Sequence, residues 1–84
     1  MSSSAVKSEP HFEPRAVEVS FTATELRVRL ADGRELTVPL EWFPRLRSAS
    51  PEKLRHWRLI GGGIGVNWPD LDEDISVAGL LSPR

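Results

Sequence analysis

The densest run of chemically active side chains in this 84-residue sequence is acidic and comprises Asp70, Asp72, Glu73 and Asp74. The three aspartates match the first, third and fifth positions of a calcium-binding helix-loop-helix loop. That loop also needs glycine at its sixth position and glutamate at its twelfth, where this chain has Ile75 and Leu81. We therefore predict no metal site and no other cofactor, and we expect the carboxylates to cap a turn or to face a basic partner.

A glycine run just before the acidic run has the composition of a phosphate-binding loop; it comprises Gly61, Gly62, Gly63 and Gly65. Phosphate loops precede a helix, and the P-loop ends in a lysine followed by serine or threonine. Here the glycines precede alternating apolar and polar residues, which indicate a strand. The run is therefore predicted to be structural, because glycine permits positive φ angles and stops a preceding helix.

The inventory for nucleophilic catalysis is small. The chain has no cysteine, and its two histidines are His11, near the N-terminus, and His56. The sequence pattern does not predict a serine next to His56 that could act as a nucleophile with this histidine as its base. We predict that the protein is not an enzyme. The absence of cysteine also favours a reducing compartment, and no apolar block indicates a signal peptide or a membrane span, so we expect a cytoplasmic protein.

Charge is distributed unevenly along a chain whose net charge is only −1. Residues 41–60 are basic, whereas residues 61–84 are acidic. The basic side chains are Arg45, Arg47, Lys53, Arg55 and Arg58. These opposite charges are either solvated faces with some mutual attraction or a bipolar surface for a partner.

The elements that position these charges begin after a polar segment. Residues 1–14 contain few apolar side chains and are predicted to form a flexible tail, with residues 15–84 as one small domain. Three segments then alternate apolar and polar residues and are predicted to form an antiparallel meander. Their apolar members are Val17, Val19 and Phe21, then Leu26, Val28 and Leu30, then Leu36, Val38 and Leu40.

The turn around Gly33 sets the register of the second hairpin. A two-residue loop would place the apolar residues of the two strands on opposite faces. A three-residue loop with Gly33 in the left-handed conformation pairs Val28 with Leu36 and Leu26 with Val38, so the faces agree. We predict the three-residue turn.

Beyond Leu40 the spacing of apolar residues changes to that of a helix. Trp42, Phe43 and Leu46 indicate one short helix, and Ser50 caps a second that is predicted from Pro51 to about Arg58. Both helices are predicted to cover the apolar face of the meander. Residues 64–68 are predicted to form a fourth strand, and Ser76 to cap a short closing turn over residues 77–81, which completes an α+β fold.

Residues 39–81 resemble a bacterial family of small domains, the domain of unknown function family 2442. The likeness rests on PLEWFPRL at 39–46, on residues 50–52 and Trp57, on GGIGVNWPDLDEDISV at 62–77 and on residues 80–81. The resemblance implies a small α+β protein that acts beside another small protein in a toxin–antitoxin-like pair. It implies no catalytic residues. Members are sometimes fused to a helix-turn-helix, which we expect this chain to lack.

We carry two hypotheses for the function. The first is a non-catalytic protein-interaction module, the antitoxin-like or regulatory member of a bacterial pair, or a module that self-associates through a sheet edge. Its predicted binding residues are Trp42, Trp68, Asp70, Asp72 and Asp74. The alternative is a nucleic-acid-binding accessory domain that uses the basic segment 45–58, with Arg45, Arg47, Lys53, Arg55 and Arg58 on phosphates.

Overall fold

The structure of the chain is a computed structural model that describes residues 14–82. Apart from Pro14, the predicted tail lies outside the described residues. Six short strands, three short α-helices and two 3₁₀ turns make up the described part. In chain order they are β1 (Ala16–Phe21), β2 (Glu25–Leu30), β3 (Glu35–Pro39), a 3₁₀ turn (Leu40–Trp42), α1 (Pro44–Arg47), α2 (Pro51–Leu54), β4 (Arg58–Ile60), β5 (Gly65–Trp68), a 3₁₀ turn (Pro69–Leu71), β6 (Glu73–Ser76) and α3 (Val77–Leu81).

The first three strands form one antiparallel sheet in the order β1-β2-β3, which we call sheet A. Val28 faces Leu36 and Leu26 faces Val38, as the three-residue turn requires. Gly33 has a φ of 97°, in the left-handed region that favours glycine. The predicted meander and its second turn are therefore confirmed.

The start of β1 differs from the prediction. Phe21 faces Leu26, but a bulge between Ala16 and Glu18 shifts the register. Val17, predicted on the core face, is 46% exposed, and Ala16 is buried in its place. A bulge adds one residue to one strand, so the side chains before it exchange faces.

The last three strands form a second antiparallel sheet in the order β4-β5-β6, which we call sheet B. Residues 65–68 of the predicted fourth strand form β5, which confirms that strand, but β5 pairs with β4 and β6 and does not join the meander. β4 begins at Arg58, where the predicted second helix ends, and it was not predicted as a strand. β6 was not predicted either, because its acidic residues favour a turn. Strands of three or four residues are too short to show a reliable alternation.

Helix α2 begins as predicted and ends early. The Ser50 Oγ accepts a hydrogen bond from the Lys53 N–H at 3.3 Å, but the helix stops at Leu54 and does not reach Arg58. The Leu54 carbonyl would accept from the Arg58 N–H in a longer helix. It accepts instead from the indole Nε1–H of Trp68 at 3.1 Å, so a side chain of sheet B takes the place of the next helical turn.

One hydrophobic core joins both sheets and the helices. The Trp68 ring, with no exposed area, meets the Phe21 ring edge-to-face at a centroid distance of 6.1 Å. Leu46 of α1 and Leu54 of α2 are buried in the same cluster. At the far end the Ser76 Oγ accepts from the Gly79 N–H at 2.9 Å, which confirms the predicted cap of the closing helix. None of the described helices is long and apolar enough to cross a membrane.

Candidate interaction surface

The acidic run lies on a 3₁₀ turn followed by the edge strand β6. Asp72 ends the turn with a φ of 52°, a left-handed conformation that aspartate tolerates better than most residues. Its main-chain carbonyl accepts a hydrogen bond from Arg45 Nη1 at 2.6 Å, and the same guanidinium lies 3.8 Å from the Glu73 carboxylate. Asp70 Oδ2 lies 3.1 Å from His56 Nδ1. The acidic run thus contacts the basic segment that precedes it in the sequence.

A polar ladder crosses the outer face of sheet B. Arg58, Asn67 and Asp74 are cross-strand partners on β4, β5 and β6. Arg58 Nε donates to Asn67 Oδ1 at 3.0 Å, and Asn67 Nδ2 donates to Asp74 Oδ1. The Asn67 side chain accepts through its oxygen and donates through its nitrogen, so the three side chains are held in one row.

These contacts separate the charged residues predicted to bind a partner into those with polar partners within the chain and those without. Asp70, Asp74, Arg45 and Arg58 all have polar partners within the chain, which weakens the bipolar surface as a docking site. The Asp72 carboxylate is exposed and has no side-chain partner among the described residues. Between the two segments Arg45 pairs with Glu73 and His56 contacts Asp70, so mutual attraction, the first of the two explanations drawn from the sequence, accounts for part of their charge.

The two tryptophans predicted to anchor a partner are placed differently. Trp68 has no exposed area, because the strand directs it into the protein's own core, so its ring is not available to a partner. Trp42 is partly buried and packs against the core at the end of the first 3₁₀ turn. It lines a small cavity of 200 Å³ between that turn and α3.

All five predicted nucleic-acid-binding cations are exposed, but only Arg47, Lys53 and Arg55 have no side-chain hydrogen bond or ion pair with a described residue. Arg47 ends α1, Lys53 is in α2, and Arg55 directly follows α2. None of these side chains has an ion pair with a described residue. The charge open to a partner is therefore smaller than the sequence implies.

A groove on the described surface was not predicted as a site. It has a volume of 640 Å³ and lies between the β1–β2 hairpin and the segment from α2 to the start of β4. Its lining residues are Val19, Ser20, Phe21, Thr22, Ala23, Pro51, Leu54, Arg55 and Trp57. Only one of them is charged, so the groove is apolar with a single cation.

The two aromatic residues of this groove were not among the predicted binding residues. Phe21 and Trp57 do pack against the core, yet both stay partly exposed, because α2 ends at Leu54 and covers little of the sheet face. The available signal in the sequence is the position of Trp57 between Arg55 and Arg58, since tryptophan and arginine are enriched at interface hot spots. The groove itself depends on where α2 ends, which the sequence pattern did not show.

The comparisons with known proteins show the same fold in bacterial relatives. A crystal structure of a protein of unknown function from Rhodospirillum rubrum is 30% identical, with a TM-score of 0.72, over 83% of this chain and 87% of that one. A solution structure of an uncharacterized protein from Chromobacterium violaceum is 28% identical, with a TM-score of 0.71, over 94% of this chain and 74% of that one. None of the curated proteins matches the chain. The family model described as protein of unknown function (DUF2442) matches residues 16–84, and the chain therefore belongs to that family.

Proposed function

We propose that this protein is a non-catalytic protein-interaction module and that the groove between the β1–β2 hairpin and α2 is its main binding surface. The observation that carries this proposal is the groove itself, a 640 Å³ depression with two partly exposed aromatic rings on its wall. Concave apolar sites with few polar groups are the usual form of a binding site. Partly exposed aromatic residues beside an arginine are typical interface anchors.

The charge around the groove favours an acidic partner. Arg55 lines the groove and no acidic side chain does so. Lys53 lies two residues earlier, on α2, and neither cation has an ion pair among residues 14–82. A partner that brings an apolar side chain and a carboxylate would bury the aromatic surface and pair the arginine.

The nucleic-acid alternative has one observation in its favour. Arg47, Lys53 and Arg55 are exposed on consecutive elements and have no carboxylate partner in the described structure. Three phosphate contacts would give weak binding with a shallow dependence on salt. The apolar character of the groove beside Arg55 makes a protein the better-supported partner.

The test is co-purification of the tagged protein from its source cells, with mass spectrometry for protein and nuclease digestion for nucleic acid. We expect a stoichiometric protein that is lost with Trp57→Ala and with Arg55→Glu. The matched controls are Trp42→Ala, which changes the same residue type away from the groove, and Arg47→Glu, which makes the same charge change on α1. Both controls should retain the partner, and circular dichroism should show that all four variants are folded.

Two outcomes would contradict the proposal. Nucleic acid that is lost equally with Arg55→Glu and Arg47→Glu would assign the surface to phosphate binding, because non-specific electrostatics does not distinguish the two sites. A protein lost with Trp42→Ala or Asp72→Lys, but not with Trp57→Ala, would return the binding surface to the residues predicted from the sequence. The role of antitoxin-like or regulatory member of a bacterial pair, and the cytoplasmic location, stay predictions from the family resemblance and the composition.

A further inference from the structure

The outer edge of β1 lies along the groove. β1 is an edge strand of sheet A, with β2 on one side. At its start the Ala16 N–H donates to the Gly63 carbonyl at 2.7 Å, which covers the edge there. From Val19 onwards, residues 19–23 line the groove without interruption. A groove lined by consecutive residues of one strand must run along the edge of that strand, because alternate residues face opposite sides of the sheet.

The main-chain groups on this edge can be assigned from the hairpin. The Thr22 N–H donates to the Glu25 carbonyl at 2.9 Å, so these two residues form a hydrogen-bonded pair. Hydrogen-bonded and non-hydrogen-bonded pairs alternate in an antiparallel ladder. Val19 and Phe21 are therefore in non-hydrogen-bonded pairs, and their N–H and C=O groups point away from β2 towards the groove. Among the described residues none hydrogen-bonds to these four groups.

The other sheet edges are less open to pairing. β3 ends in Pro39, which has no N–H, and it begins with the charged Glu35. β6 carries the exposed Asp74 of the polar ladder, and β4 has only three residues. Prolines, charges and short length are the usual devices that protect an edge from added strands. The second half of β1 contains no proline and no charged residue, and it belongs to a strand of six residues.

The wall opposite this edge is suited to the side chains of an added strand. Phe21, on the core-facing side of β1, is held by its edge-to-face contact with Trp68. Leu54 and Trp57 complete an apolar wall, and Arg55 is the one charge. Alternate side chains of an extended peptide would enter this wall, and a carboxylate on the peptide would reach the arginine.

We propose that β1 accepts an added β-strand from a partner protein: an extended segment that pairs with Val19 and Phe21, places apolar side chains at alternate positions against Trp57, and carries an acidic residue for Arg55. This inference rests on the proposed function and specifies its binding mode. The charge of the site disfavours self-pairing of two copies through the groove, because the residues that line it include Arg55 and no acid.

The test begins with a random eight-residue peptide library displayed on phage and selected on the full chain. We expect the recovered peptides to alternate apolar residues and to contain at least one acid. Hydrogen exchange of the complex should show new protection of the Val19 and Phe21 amides. Arg55→Glu should weaken the selected peptide by about two- to fivefold, the scale of an exposed ion pair, whereas Arg47→Glu should not.

Backbone methylation of the selected peptide separates strand addition from side-chain docking. N-methyl groups on the two amides that face β1 should weaken binding roughly 10- to 100-fold, the effect of two lost main-chain hydrogen bonds. The matched control carries the same two methyl groups on the neighbouring amides, which face solvent. That peptide should bind within about twofold of the parent.

Several results would overturn strand addition. They are equal weakening by both methylated peptides, protection at amides other than those of Val19 and Phe21, selected peptides that are basic, or no recovered peptide at all. Concentration-dependent self-association that protects the same two amides would assign the edge to a second copy. If these results arise while the co-purified protein still depends on Trp57, strand addition fails and the proposed function stands. If the selected peptides bind as expected but no protein co-purifies, only the proposed function fails.

Discussion

Sheet A and sheet B each contain three antiparallel strands in chain order, yet they are held together in different ways. Sheet A has strands of five or six residues, and its turns are short and local. Sheet B has strands of three or four residues, linked by the glycine run and by a 3₁₀ turn. Its main supports are side-chain contacts. The indole of Trp68, on β5, donates to the Leu54 carbonyl of α2, and Arg58, Asn67 and Asp74 form the polar ladder.

The comparison shows that a long alternation can specify a sheet locally, whereas short strands need partners from elsewhere in the chain. Trp68 illustrates the second case, because its ring packs on Phe21 of sheet A while its N–H satisfies a carbonyl of α2. Sheet B therefore depends on sheet A for its position. Substitutions within one sheet and substitutions at the junction between the sheets should therefore destabilise the fold by different amounts.

The largest effect is expected for Trp68→Ala. Removing a fully buried tryptophan costs about 3–5 kcal/mol, which is a large part of the roughly 4–12 kcal/mol expected for a domain of this size. Trp68→Phe should cost less, about 1–3 kcal/mol, because an aromatic ring remains in the core. The remaining cost arises because the Leu54 carbonyl is left without a donor. Denaturant unfolding followed by circular dichroism gives both values. Equal costs for the two variants would show that the hydrogen bond, and not the ring, holds sheet B.

Substitution of two glycines by alanine compares the stability cost at the junction between the sheets with the cost at a local turn. Gly63 has a φ of 111°, and an added Cβ would lie 2.5 Å from the Ala16 carbonyl oxygen. Gly33, in sheet A, has a φ of 97° and open space around the same position. Gly33→Ala should cost about 1–2 kcal/mol from backbone strain alone. Gly63→Ala should cost about 2–5 kcal/mol, because it adds a clash with the backbone of β1.

Chemical denaturation of the two alanine variants measures this difference. If Gly33→Ala is as costly as Gly63→Ala, the contact between Gly63 and Ala16 does not add to the cost of strain, and the junction between the sheets is looser than its geometry indicates.

The smallest effect is expected at the turn of sheet A. The Arg34 N–H donates to Asp32 Oδ1 at 3.0 Å, and this backbone hydrogen bond lowers the pKa of the Asp32 carboxyl. A lowered pKa in the folded state means that Asp32 stabilises the fold above the ordinary pKa of an aspartate. That contribution is lost as the pH falls through the folded pKa.

Thermal unfolding between pH 2 and pH 7 should therefore show a slightly steeper loss of stability in acid for the parent than for Asp32→Asn. Asp72→Asn, on the turn of sheet B, is the control, because its exposed carboxylate has no side-chain partner among the described residues. If both variants change the acid dependence equally, the turn hydrogen bond is not the cause.

Prediction from the sequence succeeded where neighbouring residues decide the structure. The alternation from Leu26 to Leu40, the left-handed Gly33 and the caps at Ser50 and Ser76 all depend on residues close in the chain. It failed at the bulge after Ala16 and at the end of α2, where contacts with Gly63 and Trp68 compete with local preference. Because α2 ends early, residues 58–60 form β4 and the chain has a second sheet, which the sequence did not predict.

The candidate sites show the same division. The sequence identified the charged residues, but charge alone does not show which of them are already paired. Arg45, Arg58, Asp70 and Asp74 are engaged within the chain, and Trp68 is buried. The groove could not be predicted, because it exists only where a short helix leaves the edge of β1 uncovered.

The sequence by itself determined the α+β class, the register between β2 and β3, the capped ends of two helices and membership of the DUF2442 family. Those features depend on apolar periodicity, on turn chemistry and on a long shared motif. The tertiary structure decided that β5 pairs with β4 and β6, which charges neutralise one another, and that Val19 and Phe21 face an open groove. These depend on contacts between residues far apart in the chain, such as the 14-residue separation of Leu54 and Trp68, which a local pattern does not encode.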